Sequence, residues 1–264
     1  MLIDIHAHFG TLGPSTVTPA QLAEYAAVVG LSRVFVSCLD AAGGDGGRDL
    51  DEPDANVAAL EAAAQHGVLA PLYWIRPGQP DSNIYAFIGA MKTEPFAGVV
   101  LAPRLNGFSI DDERLDDWMR IAAKLNRPVL VLCGRDERSR PQRGLALARR
   151  HPSVDFILTD FGGEMVWREA LDAARAGAER AAARIFLTTA HRTQEDLKAA
   201  AKSIGHDRLL FGTNALAGGA DAIATARELM TSVKAAFGET HAAAVMGNTA
   251  ARLFGVSPPA AVRR

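Results

Sequence analysis

The stretch Leu2-Ile3-Asp4-Ile5-His6-Ala7-His8-Phe9-Gly10 indicates both the fold and the place of its site. It is an apolar run, typical of a buried strand, that ends in a His-x-His pair. Residues two apart on a β-strand point to the same face. His6 and His8 therefore present two imidazoles side by side where the strand leaves the core, which is how a protein begins to build a metal site.

The composition is that of a globular domain without a strong charge of either sign. Of the 264 residues, 48% are hydrophobic, and the formal net charge is −2. No basic stripe suggests binding to nucleic acid, and no apolar run reaches the length of a membrane span. The first residues resemble a strand rather than a secretory signal, and the two cysteines do not make a disulfide framework. These features predict a cytoplasmic protein.

Short apolar runs alternate with longer helical stretches along the chain. The predicted strands are 2–6, 33–38, 68–74, 98–102, 128–133, 154–159, 184–188 and 208–211. This alternation predicts an α/β fold, a (β/α)8 TIM barrel that forms a single domain over residues 1–257, with a frayed tail at 258–264. An open doubly wound sheet is the alternative, but it would usually carry a G-x-G-x-x-G turn after its first strand, and the sequence has none there.

A barrel of this kind places its active site at the carboxyl ends of the strands. The polar and aromatic residues that follow the predicted strands are therefore the site candidates, namely His6, His8, Asp40, Trp74, Arg76, Arg104, Cys133, Arg135, Asp160, His191, Arg192 and Asn214. The glycine-rich segment 41–49 lacks the Gly-Lys-Ser/Thr ending of a phosphate-binding P-loop, so it is interpreted as a flexible loop.

Five motifs occur in a characteristic order along the chain. They are residues 4–10, Pro103-Arg104-Leu105-Asn106-Gly107-Phe108, Gly162-Gly163, Leu209-Leu210-Phe211-Gly212-Thr213-Asn214, and Gly247-Asn248-Thr249-Ala250-Ala251-Arg252-Leu253-Phe254-Gly255. Together they resemble the amidohydrolase superfamily, in particular its amidohydrolase-related branch (amidohydrolase 2). The resemblance covers nearly the whole chain. It implies a barrel of the kind that includes decarboxylases and hydrolases of small acids.

The chain departs from the pattern of that superfamily at five positions. Its members usually end strand four with Lys-x-His, where this chain has Val100 and Ala102. Strand five usually supplies a metal-binding histidine, and strand six a catalytic or metal-binding one, but these positions are Leu132 and Asp160. Strand eight usually supplies an aspartate that binds metal and handles the proton of the attacking water, and here that residue is Asn214. The comparison implies a degenerate metal site.

Two interpretations of the histidine pair stay open. In one, His6, His8 and Asp160 bind a divalent ion, zinc or manganese, as a set of two histidines and one carboxylate. His191 is a further candidate ligand, and Cys133 is another only if a bulge turns it inward. In the other interpretation, which is favoured, no metal is bound, and Asp160 with one histidine forms an acid–base pair that exchanges protons near pH 7.

The remaining candidates are assigned to the substrate. Arg104 is suited to clamping a carboxylate with two parallel hydrogen bonds, or else it orders its own loop through a salt bridge. Trp74 is a candidate wall of the pocket, and Arg76 and His191 lie at strand exits around the mouth. Cys133 would act as a nucleophile only if a nearby base or cation lowered its pKa.

The sequence as a whole favours a repurposed amidohydrolase-like enzyme without the usual metal centre. His6, His8 and Asp160 would carry the chemistry, with Asn214 as hydrogen-bonding support, on a small and anionic compound that contains a carboxylate or carbonyl group. One alternative is a zinc-type hydrolase that uses the same two histidines and Asp160. The other is a non-catalytic barrel that binds a ligand or a partner protein. The resemblance also implies a possible homodimer.

Overall fold

The computed structural model describes residues 1–12, 15–42, 49–162, 166–179, 183–215 and 221–256. Three features of the sequence interpretation lie partly or wholly outside these ranges. They are the glycine-rich segment at positions 43–48, the second glycine of the Gly162-Gly163 motif, and the predicted tail 258–264.

Nine strands within the described ranges form one sheet. They are β1 (Ile3–Leu12), β2 (Ser15–Val17), β3 (Arg33–Cys38), β4 (Leu69–Ile75), β5 (Gly98–Leu101), β6 (Val129–Val131), β7 (Asp155–Leu158), β8 (Arg184–Thr188) and β9 (Leu209–Leu210). Their order is β2-β1-β3-β4-β5-β6-β7-β8-β9, and every pair except β1–β2 is parallel.

Hydrogen bonds join the two ends of the parallel sheet. The backbone nitrogen of Ile5 donates to the oxygen of Phe211 at 3.1 Å, and the nitrogen of Asn214 donates to the oxygen of His6 at 2.8 Å. A parallel bridge between Ala7 and Ala215 continues the pairing. The parallel strands therefore close on themselves, and the predicted TIM barrel is confirmed.

Helices connect the strands and cover the barrel. Those in the described ranges are α1 (Pro19–Val29), α2 (Glu52–Gln65), α3 (Ile84–Thr93), α4 (Pro103–Asn106), α5 (Asp116–Lys124), α6 (Pro141–Arg150), α7 (Trp167–Ala178), α8 (Gln194–Ile204), α9 (Ala222–Ala243) and α10 (Thr249–Phe254). Thr18 and Thr193 start α1 and α8 with reciprocal capping boxes. In this part of the chain, no helix combines the length and the hydropathy that a membrane crossing requires.

The strands are buried on both faces. Val34, Phe35 and Val36 of β3 are consecutive, and each is 0% exposed. In a barrel of parallel strands, inward side chains fill the interior and outward ones pack under the helices, so alternation between apolar and polar residues disappears. This burial explains the near-continuous apolar runs in the sequence.

The first strand differs from the prediction in its length and in one of its partners. The sequence interpretation ended it at His6, whereas β1 runs to Leu12 and pairs with the short antiparallel strand β2. The pairing of β1 with β3 also shifts by one residue between Asp4 and Ala7, which is a bulge. Bulges occur preferentially at barrel rims and beside active sites, and this one contains His6.

Candidate active site

Four side chains form a chain of polar contacts at the carboxyl end of the barrel. Nε2 of His6 lies 3.1 Å from Nε2 of His8, with the two rings edge to face. Nδ1 of His8 lies 2.7 Å from the hydroxyl oxygen of Ser37 on β3. At the other end, Nδ1 of His6 lies 3.3 Å from Oδ1 of Asp160, which follows β7. The order Ser37, His8, His6, Asp160 thus links three strands.

The contact between His6 and Asp160 is an ion-pair contact rather than an aligned hydrogen bond. Nδ1 of His6 and Oδ1 of Asp160 are both buried, and neither has a hydrogen-bond partner with good geometry among the described residues. The His6 side chain is 1% exposed, whereas the Asp160 side chain is 19% exposed. His8 is also buried. Asp160 is therefore the member of the chain that reaches the mouth of the barrel, and both histidines lie behind it.

The buried carboxylate of Asp4 anchors the backbone near His6. Oδ1 of Asp4 accepts hydrogen bonds from the backbone nitrogens of His6 (3.0 Å) and Thr213 (3.2 Å). Oδ2 accepts from the hydroxyls of Thr213 (2.5 Å) and Tyr25 (2.9 Å). Burial raises the pKa of the Asp4 carboxyl, and these hydrogen bonds oppose the rise. Asp4 therefore ties the strand that carries His6 to the segment that carries Asn214.

Three predicted site residues adopt the left-handed backbone conformation. Asp160 (φ 49°), His191 (φ 59°) and Asn214 (φ 55°) are three of the four non-glycine residues with positive φ in the described ranges. They follow β7, β8 and β9 in turn. Asn, Asp and His tolerate this conformation better than most residues, but it still costs energy and is concentrated at functional sites.

Further contacts hold these rim residues together. The backbone nitrogen of Asp160 donates to the hydroxyl oxygen of Thr188 at 2.7 Å, and the amide Nδ2 of Asn214 donates to Oδ2 of Asp160 at 3.4 Å. The left-handed turn after each strand thus brings the side chains of neighbouring strand ends to one place. Asn214 thus contacts the carboxylate of Asp160, and its role as hydrogen-bonding support in catalysis stays a prediction.

Burial and neighbouring charges set the protonation states of Asp160 and His8 at neutral pH. Burial alone would raise the pKa of the Asp160 carboxyl, but His6, His191 and His8 together hold it below its ordinary value. Burial, with His6 alongside, lowers the pKa of the His8 imidazole to about 3. Asp160 is therefore ionised and His8 is neutral near pH 7. An ionised carboxylate at the mouth, backed by imidazoles, is able to accept a proton and return it.

Trp74 and Arg104 lie in different surroundings. Trp74 is 1% exposed, its ring centroid is 6.4 Å from that of His8, and its indole nitrogen donates to Oδ1 of Asn106 at 2.8 Å. The amide of Asn106 in turn donates to the backbone oxygen of Ala41. Trp74 thus packs beside His8 on the core side of the site. Arg104, in contrast, is exposed on α4.

Arg76 is held by the segment that precedes α2. Its Nη1 donates to the backbone oxygen of Leu50 at 2.7 Å and lies 3.7 Å from a carboxylate oxygen of Asp49. Its backbone nitrogen donates to Oε2 of Glu52 at 2.7 Å. These contacts direct the guanidinium to the end of the glycine-rich segment.

Cys133 and His191 both interact electrostatically with the carboxylate of Asp160. Cys133 is half-buried, and burial followed by the negative charge of Asp160 raises the pKa of its thiol. A neutral thiol is a poor nucleophile and a poor metal ligand. His191 is exposed, and its imidazole helps to lower the pKa of Asp160. His191 therefore lies close enough to Asp160 to interact with its charge.

Sequence reasoning missed Ser37, Tyr25, Thr213 and Asn106 as parts of the site. Ser37 carried a weak signal, because it interrupts the apolar run Val34-Phe35-Val36. Its partner could not be read from spacing, since the contact with His8 depends on the register of β1 against β3, in which these two residues are aligned.

The donor atoms around the two histidines match a catalytic zinc site only in part. The two Nε2 atoms are 3.1 Å apart, close to the roughly 3.3 Å expected between two nitrogen ligands of a tetrahedral zinc. Asp160, however, contacts the other ring nitrogen of His6, and Asn214 offers its amide N–H to Asp160. No group of three or more His, Cys, Asp or Glu side chains in the described ranges converges as a metal site. The described residues supply two of the three required ligands, so this set does not fit a conventional centre.

The family of the chain is shown by its sequence. The amidohydrolase family model Amidohydro_2 matches residues 3–256. The chain belongs to the amidohydrolase family. This match confirms the resemblance drawn from the five motifs, whereas a search of curated proteins finds no match to this amidohydrolase.

Solved structures similar to this amidohydrolase share its fold at low identity. The 2,6-dihydroxybenzoate decarboxylase complexed with 2,6-dihydroxybenzoate is 13% identical, with a TM-score of 0.72 over 96% of this chain and 98% of that one. A probable 2-pyrone-4,6-dicarboxylic acid hydrolase from Acinetobacter baumannii, with citric acid bound, is 15% identical, with a TM-score of 0.65 over 96% and 99%. An amidohydrolase from Burkholderia multivorans with bound zinc is 17% identical, with a TM-score of 0.72 over 97% and 100%.

Proposed function

We propose that this amidohydrolase is an enzyme that hydrolyses or decarboxylates a small carboxylate- or carbonyl-containing compound by acid–base chemistry, without a three-ligand metal centre. The observation that carries the proposal is the contact chain from Asp160 through His6 to His8. A barrel that had lost all chemistry would have no reason to keep buried imidazoles beside an ionised carboxylate, because burying polar groups costs free energy. The left-handed conformations of Asp160, His191 and Asn214 support the same conclusion.

In the proposed mechanism, Asp160 faces the substrate and the histidines stand behind it. During hydrolysis the carboxylate accepts a proton from the water that attacks the substrate carbonyl, and it returns that proton to the leaving group as the bond to the carbonyl carbon breaks. During decarboxylation the carbon that loses carbon dioxide keeps the electron pair of the broken bond, and Asp160 relays to it a proton taken from solvent. His6 offsets the negative charge of Asp160, and Asn214 fixes Oδ2. General acid–base catalysis of this kind contributes about 10²–10⁴-fold to a rate.

The substrate class follows from the family and from the charges at the mouth. The similar structures include a decarboxylase with its aromatic acid bound and a probable dicarboxylic acid hydrolase with citric acid bound. An anionic substrate would need partners that offset its repulsion from the ionised Asp160. We assign the positive charge to the exposed Arg104 and a hydrogen bond to the substrate to the exposed His191. Trp74, Arg76 and Cys133 would shape the pocket around it.

The experiment is a screen of the purified protein against small aromatic and aliphatic carboxylic acids, lactones and esters. Evolved carbon dioxide is measured for decarboxylation and acid release for hydrolysis. We expect Asp160→Asn to lose about 10²–10⁴-fold of the activity found. Asp172→Asn on α7, whose wild-type side chain is 67% exposed, is the matched control and should keep full activity. Turnover that survives Asp160→Asn contradicts the assigned chemistry. Binding of these compounds without turnover favours the non-catalytic barrel.

Elemental analysis of protein purified without chelators tests the metal-free part of the proposal. We expect substoichiometric zinc and manganese, and activity that is unchanged by a chelator. Stoichiometric metal that is lost in His6→Ala would contradict this part and would favour a metal-dependent hydrolase. The homodimer and the cytoplasmic location stay predictions from the sequence, and sedimentation analysis tests the first.

A further inference from the structure

A cavity lies between the start of α8 and one face of α9. Its volume is about 500 Å³, which is within the range of small-molecule sites. Four residues at helical spacing line it from α9, namely Thr225, Glu228, Leu229 and Ser232. This spacing places them on one face of the helix. Gln194 joins the two helices across the edge of the cavity, since its Nε2 donates to the backbone oxygen of Ala235 at 3.2 Å.

Arg192 forms part of the cavity wall on the α8 side. Its side chain is 4% exposed, yet it carries a guanidinium that stays charged at neutral pH. Its Nε donates to the backbone oxygen of Ala190 at 3.4 Å, and its Nη1 lies 3.9 Å from Oδ2 of Asp196. This ion pair is long, and the same oxygen also accepts a hydrogen bond from the backbone nitrogen of Thr193. Because burying a charge costs free energy, a carboxylate in the cavity would stabilise Arg192 further through two parallel hydrogen bonds.

The rest of the lining suits a ligand that also carries a positive group. Glu228 lines the cavity and is exposed, so its carboxylate would repel a simple anion and attract an ammonium group. Ala190 and Leu229 are buried and give the cavity an apolar wall for methylene groups. The lining is therefore complementary to a carboxylate and an ammonium group that a short apolar chain joins.

We infer that this α8–α9 cavity binds a small zwitterion, with its carboxylate on Arg192 and its ammonium group beside Glu228. None of the four members of the contact chain is among the described residues that line the cavity. His191 does line it, and this residue also lies close enough to Asp160 to interact with its charge, so the two sites adjoin. The inference does not rest on the proposed function, because binding is measured without turnover.

The test is a set of saturation-transfer NMR titrations of the full-length protein at pH 7.5. The probes are the ω-amino carboxylates from glycine to 5-aminopentanoate, and the alkyl carboxylates of equal carbon number are the comparators. We expect at least one amino carboxylate to bind with a Kd of about 1 mM or tighter, which is ordinary for so small a ligand. It should bind about twofold to fivefold more tightly than its comparator, since Glu228 is exposed and an exposed ion pair contributes little.

Four variants locate the bound probe. Arg192→Met keeps the aliphatic stem and should weaken binding at least about tenfold, because it removes a buried charge-assisted contact. Glu228→Gln should remove the preference for the amino carboxylate over its comparator. Ser232→Phe fills the cavity from α9 and should abolish binding. Thr231→Phe adds the same bulk at the neighbouring, exposed position of that helix, so it is the matched control and should bind as the wild type does.

Four results would overturn the inference. The first is that no probe binds, and the second is that Arg192→Met and Ser232→Phe leave binding unchanged. The third is that the comparators bind as tightly as the amino carboxylates. The fourth is binding that Asp160→Asn abolishes, since the probe would then occupy the catalytic mouth; we expect this variant to keep the wild-type Kd.

A second variant covers the case in which Arg192→Met does not fold. Arg192→Lys keeps the charge and loses the planar fork, so it should weaken binding at least about threefold, and an unchanged Kd would contradict a carboxylate bound to the guanidinium. Binding without turnover in the substrate screen would leave this inference standing while the proposed function fails, and turnover without binding of any probe would do the reverse.

Discussion

Glu52, the first residue of α2, gives a quantitative test of the electrostatics near the mouth of the barrel. Its side chain is 1% exposed, and its carboxylate accepts hydrogen bonds from the backbone nitrogen of Arg76 (2.7 Å) and the hydroxyl of Tyr73 (3.2 Å). Burial raises the pKa of the Glu52 carboxyl from 4.5 to about 7, and Asp81 adds to the rise, against the opposing effect of the hydrogen bonds. The folded protein therefore keeps this proton to a higher pH than the unfolded chain does.

The sign and the size of the effect follow from this difference. Below pH 4.5 the carboxyl is protonated in both states, and its contribution to stability is fully present. As the pH rises, the unfolded chain releases the proton first, so the free energy of unfolding falls until the folded state also releases it at about pH 7. Each pKa unit corresponds to about 1.4 kcal/mol, so the whole shift amounts to about 3 kcal/mol.

Glu52→Gln removes this titration and keeps an amide oxygen for the backbone nitrogen of Arg76. Urea denaturation at pH 5 and pH 8 measures the free energy of unfolding of the variant and of the wild type. We expect the difference between them to move in favour of the variant by about 2–3 kcal/mol from pH 5 to pH 8. Asp172→Asn, which removes an exposed carboxylate, should show no such movement. A constant difference for Glu52→Gln would refute the reasoning.

Three further predictions concern the scaffold of the site. Tyr25→Phe removes the hydroxyl that donates to Asp4 at 2.9 Å, and it should lower the free energy of unfolding in urea by about 1–3 kcal/mol. Unchanged stability would contradict a stabilising hydrogen bond between Tyr25 and Asp4. Gly10→Ala would place a Cβ 2.9 Å from the backbone nitrogen of Asp40 at a φ of +105°, so we expect a loss of about 1–3 kcal/mol in the same assay, and an equally stable variant would argue against that geometry. Cys133 should react with iodoacetamide at pH 8 more slowly than a free thiol, because its pKa is raised; mass spectrometry follows the labelling, and fast reaction would show a thiolate.

The barrel and the place of its site could be predicted from the sequence because both depend on local patterns. Apolar runs that alternate with helical stretches predict parallel strands, and the connections between such strands are restricted enough to leave few topologies. Once the strand ends are known, the residues that follow them must meet at one rim. His6, His8, Asp160 and Asn214 were predicted to meet in this way. The structure brings these four into one network of contacts, whereas their roles in catalysis stay predictions.

The contacts that support the site could not be predicted, because they join residues that are distant in the chain. Ser37 and His8 are 29 positions apart, and Asp4 and Thr213 are 209 positions apart. Each pairing depends on the register between strands and on the closure of the barrel. The spacing of residues along the sequence gives neither the strand register nor the closure of the barrel. The hairpin partner β2 was missed for a related reason, since three residues make too short a pattern to recognise.

The sequence by itself therefore determined the family, the barrel and the identity of the polar residues at its mouth. Only the tertiary structure decided how those residues face one another. The sequence allows His6, His8 and Asp160 to converge on one metal ion, but in the folded protein Asp160 lies on the Nδ1 side of His6 and His8 lies on the Nε2 side. The physical reason is that ligation and proton transfer depend on which atom of a ring faces its neighbour, and the packing of strand ends against one another controls that orientation.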